Sequence, residues 1–333
     1  MKIKRITAIV TVAVMLIALS ACQSSYTTDI FAMDTIMTIT AYGKDSEKAT
    51  ELAKQKIKQL ERLFSVTDSD SEIGNINAST DFVEVSYDTE KIITRALEIS
   101  NMTQKAFDIT IRPVTKLWGF TDNNPHVPDA TDIESALNTV ESCRVEIENG
   151  KIKCAGELDL GAIAKGYAAG CIRAIFDQYD IKHAVVSLGG NVMLKGSRPD
   201  GKPWNVGITH PQNSEEIIGI LKAQDTSVVT SGGYERSFVQ DGITYHHIID
   251  PKTGYPANSG TISATVISLD DTLADALSTA FYVSGVEQSA QYWRQYGGFD
   301  MILITDGCIY ITEDIYDYFQ LKDGSFSVVK LEK

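Results

Sequence analysis

The residues best equipped for chemistry lie in the second half of the 333-residue chain. The string His246-His247-Ile248-Ile249-Asp250-Pro251-Lys252-Thr253-Gly254-Tyr255-Pro256 puts a histidine at a strand end, just before an Asp-Pro and Thr-Gly turn. Imidazole titrates near neutrality, so such a histidine can act as a general base. Paired histidines on a strand are as often structural, and the string alone leaves both readings open. Further on, Asp271, Asp275 and Thr279 recur every four residues, which lines their oxygens along one helix face. A carboxylate and a hydroxyl on consecutive turns suit a hard cation such as Mg²⁺, which keeps several waters and leans on substrate phosphate. A polar helix face with Asp in its first turn accounts for the same spacing.

The segment Leu158-Asp159-Leu160-Gly161-Ala162-Ile163-Ala164-Lys165-Gly166-Tyr167 reads as a strand end running into a helix. Free N–H groups and the positive end of the dipole favour phosphate there, and Lys165 would add a point charge. A joint with packing glycines and a solvated lysine is the simpler reading of that segment alone. Two glycine-rich turns, Leu188-Gly189-Gly190-Asn191 and Thr230-Ser231-Gly232-Gly233-Tyr234-Glu235-Arg236, follow β-branched strands and allow close backbone approach to a ligand. Neither fits G-x-G-x-x-G or G-x-x-x-x-G-K-[ST], which removes the Rossmann fingerprint and the P-loop.

These groups need elements to hold them. Residues 30–42 read as strand-rich, and 46–64 as an amphipathic helix with Ala49, Leu52, Ala53, Ile57, Leu60 and Phe64 on one face. Helices are expected over 88–103, 131–140, 161–179 and 271–283, with a loop over 122–128. From Cys143 onward, strands alternate with glycine-rich turns, and no repeat or linker divides the chain. The pattern is α+β: one catalytic domain over 30–333 with mixed or antiparallel sheets and flanking helices.

The first residues carry Lys2, Lys4 and Arg5, an apolar run to Leu19, and then Leu19-Ser20-Ala21-Cys22. The run is short for a membrane span, and a cysteine after Leu-Ser-Ala matches the lipobox of exported lipoproteins. The expectation is a signal peptide over 1–21, cleavage before Cys22, a fatty-acylated sulfur and a tether over 22–29. That puts the domain on the extracytoplasmic face of a bacterial plasma membrane. Losing three cations from a net charge of −14 leaves −17, which argues against nucleic acid as a partner. Cys143, Cys154, Cys171 and Cys308 show no zinc-ligand spacing. An Asn149-Gly150 turn would set Val145 opposite Cys154, with Cys143 only diagonal to it, so free buried thiols are expected.

In order along the chain, these strings resemble the ApbE family of FAD:protein FMN transferases. The likeness runs from Met33-Asp34-Thr35 through Phe64-Ser65, Ser71-Glu72-Ile73 and Asn77 to Ala106-Phe107-Asp108-Ile109-Thr110 with Arg112-Pro113 and Leu117-Trp118-Gly119-Phe120. It continues through the strings already quoted to Ala274-Asp275-Ala276 and Ser278-Thr279-Ala280, and it fades by about Gly285. The resemblance implies Mg²⁺ on Asp275, Thr279 and the backbone oxygen of Ala162, and FAD contacts at Met33, Ala106, Phe107, Asp108, Asp159, Lys165 and Ile249. It implies His247 as the base for a threonine hydroxyl on an exported redox protein bearing a motif like D-x-x-[ST]-[GS]-A-T, with AMP released.

Two positions depart from that pattern. Many relatives carry an aromatic residue where this chain has Thr67, a ring that could stack on the cofactor. Asp34 stands where relatives usually have glycine. An FAD pyrophosphatase giving FMN and AMP is the nearest alternative activity, and a lipoprotein that holds FAD without turnover is another. The chain's own Ile262-Ser263-Ala264-Thr265 resembles the end of the acceptor motif but reads as a core strand.

Overall fold

The computed structural model describes residues 24–122 and 124–333. The signal segment and Cys22 lie outside the described residues. The expected tether is shorter than its 22–29 boundary, because from Ser25 the chain already pairs as a strand. Ser25–Ala32 runs antiparallel to Thr35–Tyr42, with Ser25 opposite Tyr42. Its first residues are polar, which suggested a tether, but Tyr26, Thr27 and Thr28 are good strand formers. Met33 and Asp34 make the two-residue turn with φ of 48° and 59°. Both central residues of such a hairpin turn need the left-handed region, which glycine enters freely and Asp tolerates.

The centre is a nine-stranded sheet whose strands lie side by side in chain order. Neighbours are antiparallel except at the far edge, where Cys308–Thr312 and Ser327–Leu331 run parallel. Alternate residues feed two separate cores. Ala264, Val266, Met301 and Leu303 pack beneath the helices Ser46–Phe64, Tyr87–Met102, Ala164–Gln178 and Asp271–Tyr296. Ile267, Ile302 and Ile304 pack with residues of a three-stranded sheet formed by Trp204–His210, Asn213–Ala223 and Phe319–Leu321. The strand Ser263–Ser268 is therefore buried at every position, as expected of a strand covered on both faces. Ser263, Ala264 and Thr265 are core residues and offer no acceptor hydroxyl.

The helix Ser46–Phe64 has the expected bounds and buries Ala49, Ala53, Ile57, Leu60 and Phe64. The helix expected to stop at 283 is broken at Gly285 (φ 79°, ψ 176°) and then resumes as far as Tyr296. A side chain at 285 would lie 3.1 Å from the carbonyl of Ser259, so the break also permits a close backbone contact. Hairpin register is as expected, with Val145 opposite Cys154 and Glu148 opposite Lys151. Cys143 closes the helix Ala130–Ser142, and this brings its free, buried thiol within 3.3 Å of that of Cys154 despite the diagonal register.

Candidate active site

The segment before the helix Ala164–Gln178 is held by backbone contacts. Asn77 grips Leu158 with both amide atoms, donating to its carbonyl at 2.9 Å and accepting its N–H at 2.7 Å. The N–H of Asp159 donates to the carbonyl of Ile109 at 2.8 Å. The Asp159 Oδ1 accepts the N–H of Gly161 at 2.8 Å. This local turn competes with helix formation, so residues 161–163 form a turn and the helix starts at Ala164 instead of Gly161. Ala162 lies in that turn, half-buried.

Beside it, Lys165 reaches across to the first of the two glycine-rich turns, its Nζ donating to the carbonyl of Gly189 at 3.1 Å. Gly166 lets the helix touch Asp271–Tyr296. Its N–H donates to Asp275 Oδ2 at 2.7 Å, and a Cβ there would lie 2.4 Å from the carbonyl of Asp271 and 2.5 Å from Asp275 Cβ.

The three oxygens spaced along the late helix do not share a fate. Asp271 is consumed by Arg173, whose Nε and Nη2 donate to it at 2.9 Å and 2.8 Å, and by the hydroxyl of Ser227. It anchors the helix. Asp275 is buried and gives one oxygen to Gly166. Thr279 lies 3.3 Å from the Ser231 hydroxyl, which also pairs with Ser278 at 2.7 Å. Among the described residues no three or more His, Cys, Asp and Glu side chains gather for a metal. Asp275, Thr279 and the Ala162 carbonyl would together offer one carboxylate and only oxygen donors, a chemistry that suits Mg²⁺ completed by water and phosphate better than a thiolate or imidazole metal.

The glycine turn after Ser227–Gly232 leads into a hairpin, Ser237–Gln240 with Ile243–His246, that carries the histidines. Their rings have different surroundings. His246 Nε2 donates to the carbonyl of Ala257 at 3.1 Å, and its ring meets Tyr282 edge-on at 5.2 Å. His247 lies just past the strand, and its Nδ1 donates to the carbonyl of Arg236 at 3.2 Å. A carbonyl can only accept, so the proton is on Nδ1 and the lone pair is on Nε2. Desolvation lowers the His247 pKa to about 4, partly opposed by that hydrogen bond and reinforced by Arg236, His246 and Lys165. The ring is neutral at pH 7 and able to accept a proton.

The charge of Lys165 is felt by both His247 and Glu235, and the charge of Asp275 by Glu235. These four therefore share one neighbourhood. Glu235 is a participant that spacing did not single out; desolvation raises its carboxyl, with Lys165 and Arg236 opposing and Asp275 adding to the rise. Its only signal was its place in the Tyr234-Glu235-Arg236 string.

The remaining candidates arrive differently. Met33 sits at the first hairpin turn with its N–H on Glu61 Oε1 at 2.7 Å. Beside it, the Asp34 carboxylate lies 3.8 Å from Arg236 Nη2, which gives the residue in place of glycine a partner next to His247. Ala106, Phe107 and Asp108 are buried, and Asp108 Oδ1 accepts from the Thr110 N–H and hydroxyl at 2.9 Å and 2.7 Å. Ile249 is buried in a small core with Trp118 and Ile133. Thr67 is exposed.

Comparison with known proteins bears on the family and the fold. The ApbE family model matches residues 33–303. The FAD:protein FMN transferase of Klebsiella pneumoniae (strain 342) is 36% identical over 276 residues, which cover 79% of this chain and 84% of that one. The protein of the same name from Treponema pallidum is 31% identical over 318 residues, 88% of each chain. Among solved structures, the ApbE protein of Thermotoga maritima superposes with a TM-score of 0.82 at 33% identity, covering 89% of this chain and 99% of that one. The flavin transferase ApbE of Vibrio cholerae gives a TM-score of 0.80 at 25% identity, covering 89% and 100%. By their names the curated relatives form one class, transferases. This chain belongs to the ApbE family.

Proposed function

We propose that this chain splits FAD at its pyrophosphate with the help of Mg²⁺ and transfers FMN to a threonine hydroxyl of an exported redox protein, releasing AMP. Transfer of FMN from FAD to a protein is the activity named for its relatives. The observation that carries the reading is the 3.2 Å contact of His247 Nδ1 with the Arg236 carbonyl, which holds the proton on Nδ1 and so puts the lone pair on Nε2. In this reading the threonine oxygen attacks the FMN phosphorus and its proton passes to His247 Nε2. The bond from that phosphorus to the bridging oxygen breaks, and AMP leaves with that oxygen.

Asp275, Thr279 and the carbonyl of Ala162 would hold Mg²⁺, which supplies neutralisation of pyrophosphate charge when bound. Lys165 would steady a phosphate oxygen as a point charge. Asp108 is committed to Thr110 and Ile249 to its core, so Ala106, Phe107, Asp108 and Ile249 would meet FAD through backbone atoms. Met33 and Asp159 would complete the cleft. Lipidation of Cys22 would hold the enzyme at the outer face of the plasma membrane, where it meets its exported acceptor. The decisive experiment incubates the protein with FAD, Mg²⁺ and an exported redox protein carrying a D-x-x-[ST]-[GS]-A-T-like motif, then reads flavin fluorescence in a denaturing gel. Fluorescence on the acceptor supports transfer. Release of free FMN and AMP without it would mean a pyrophosphatase.

A further inference from the structure

We infer that Arg112 is a positioning residue for FAD, acting through Asp159. Its side chain is only 7% exposed, yet its guanidinium is incompletely used. Nη2 donates to the carbonyl of Val66 at 3.0 Å, Nε lies 3.4 Å from Glu157, and Nη1 faces Asp159 Oδ2 at 3.8 Å without a hydrogen-bond partner among the described residues. A buried guanidinium N–H with no acceptor is costly, and an arginine fork matches paired acceptors better than any other side chain. Arg112 thus joins the loop after the helix Ser46–Phe64, the segment after Asp108 and the segment before Ala162. Each adjoins a residue read above as belonging to the cleft.

Asp159 shows why this is positioning and not scaffolding. Its backbone is held by Ile109 and its neighbour Leu158 by Asn77, and its Oδ1 is held by Gly161. Only Oδ2 answers to Arg112, so removing the guanidinium frees one carboxylate oxygen and leaves the chain path in place. The 3.8 Å gap leaves Nη1 a hydrogen to give, and closing it onto Oδ2 as FAD seats against Asp159 would fix that carboxylate in place.

The inference rests on the cleft being the FAD site, and the experiment separates the two. FAD binding is measured by fluorescence titration, and turnover by kcat and KM, for the parent, Arg112→Met, Arg112→Lys, Asp159→Asn and the Arg112→Met/Asp159→Asn pair, with melting curves for each. Loss of one charge-assisted hydrogen bond predicts an FAD Kd and KM about tenfold higher in Arg112→Met, with kcat changed less than about threefold. The pair should be no weaker than the worse single variant, because both remove one interaction. Lysine cannot reproduce the fork, so Arg112→Lys should recover the melting temperature but not the affinity. If Arg112→Met does not fold, the same comparison is made with Arg112→Lys. Parental FAD affinity in the Arg112 variants, or losses that simply add in the pair, overturns the inference while the FAD site stands. A parent that neither binds nor cleaves FAD overturns both.

Discussion

Gly166 and Asp275 lie closer than a side chain at 166 would allow: the glycine N–H donates to Asp275 Oδ2 at 2.7 Å, and a methyl on Gly166 would sit 2.5 Å from Asp275 Cβ. The glycine thus sets where the carboxylate stands. Gly166→Ala must push the helices apart, and overpacking of this kind costs about 1–3 kcal/mol. Misplacing a catalytic group by about an ångström can cost about 10²-fold in rate. The expected result is a folded protein with a lower melting temperature and turnover down by about two orders of magnitude. Parental turnover in a folded Gly166→Ala protein would show that the contact is dispensable.

Asp275→Asn is the cleaner probe of the metal. An alanine here would leave the buried N–H of Gly166 without an acceptor, at about 1–3 kcal/mol, whereas asparagine can keep that bond and lose the charge. Asp275→Asn should melt near the parent and show no Mg²⁺-stimulated FAD cleavage. Thr279→Ala should be milder, since water can replace a neutral oxygen. Equal FMN release by parent and Asp275→Asn across a Mg²⁺ titration would remove Asp275 from the metal site.

Local patterns were legible in the sequence where one physical signal dominated. The apolar stripe of Ser46–Phe64 and the turn at Asn149-Gly150 gave correct bounds and register. Spacing alone failed where a distant partner decides. Asp271 and Asp275 are equivalent by periodicity, but Arg173, ninety-eight residues before Asp271, claims the first. Glu235 and Arg112 had no pattern of their own, because their significance comes from what surrounds them. The thiols of Cys143 and Cys154 approach because a helix ends at Cys143, which strand register could not foretell.

Membrane attachment can be tested without the enzyme's chemistry. A serine oxygen cannot carry the thioether-linked lipid, so Cys22→Ser should appear in the soluble fraction and escape labelling by a fatty-acid probe. FAD turnover by the released protein should match the parent, because the folded domain starts its pairing at Ser25. A probe that labels both proteins equally would disprove the lipobox reading.

The histidine pair gives the sharpest test of the mechanism. His246 is held by Ala257 and Tyr282, and desolvation lowers its pKa too, so its removal should cost stability more than catalysis. His247→Ala should keep FAD and Mg²⁺ binding but lose about 10²–10⁴-fold in transfer, the range typical of a general base. The pH profile adds a second check. Because the folded His247 titrates at about 4 and an ordinary histidine at 6.5, the unfolded chain binds the extra proton first as the solution is acidified. Its contribution to stability is complete above pH 6.5 and is lost as pH falls toward 4. Transfer should therefore stay level through pH 6.5 and fall only on approaching pH 4, and this acid limb should vanish in the residual activity of His247→Ala. A limb centred at 6.5 in the parent would mean that the ring is protonated and solvated in the working enzyme. If His246→Ala is the inactive variant instead, the roles of the two rings are exchanged.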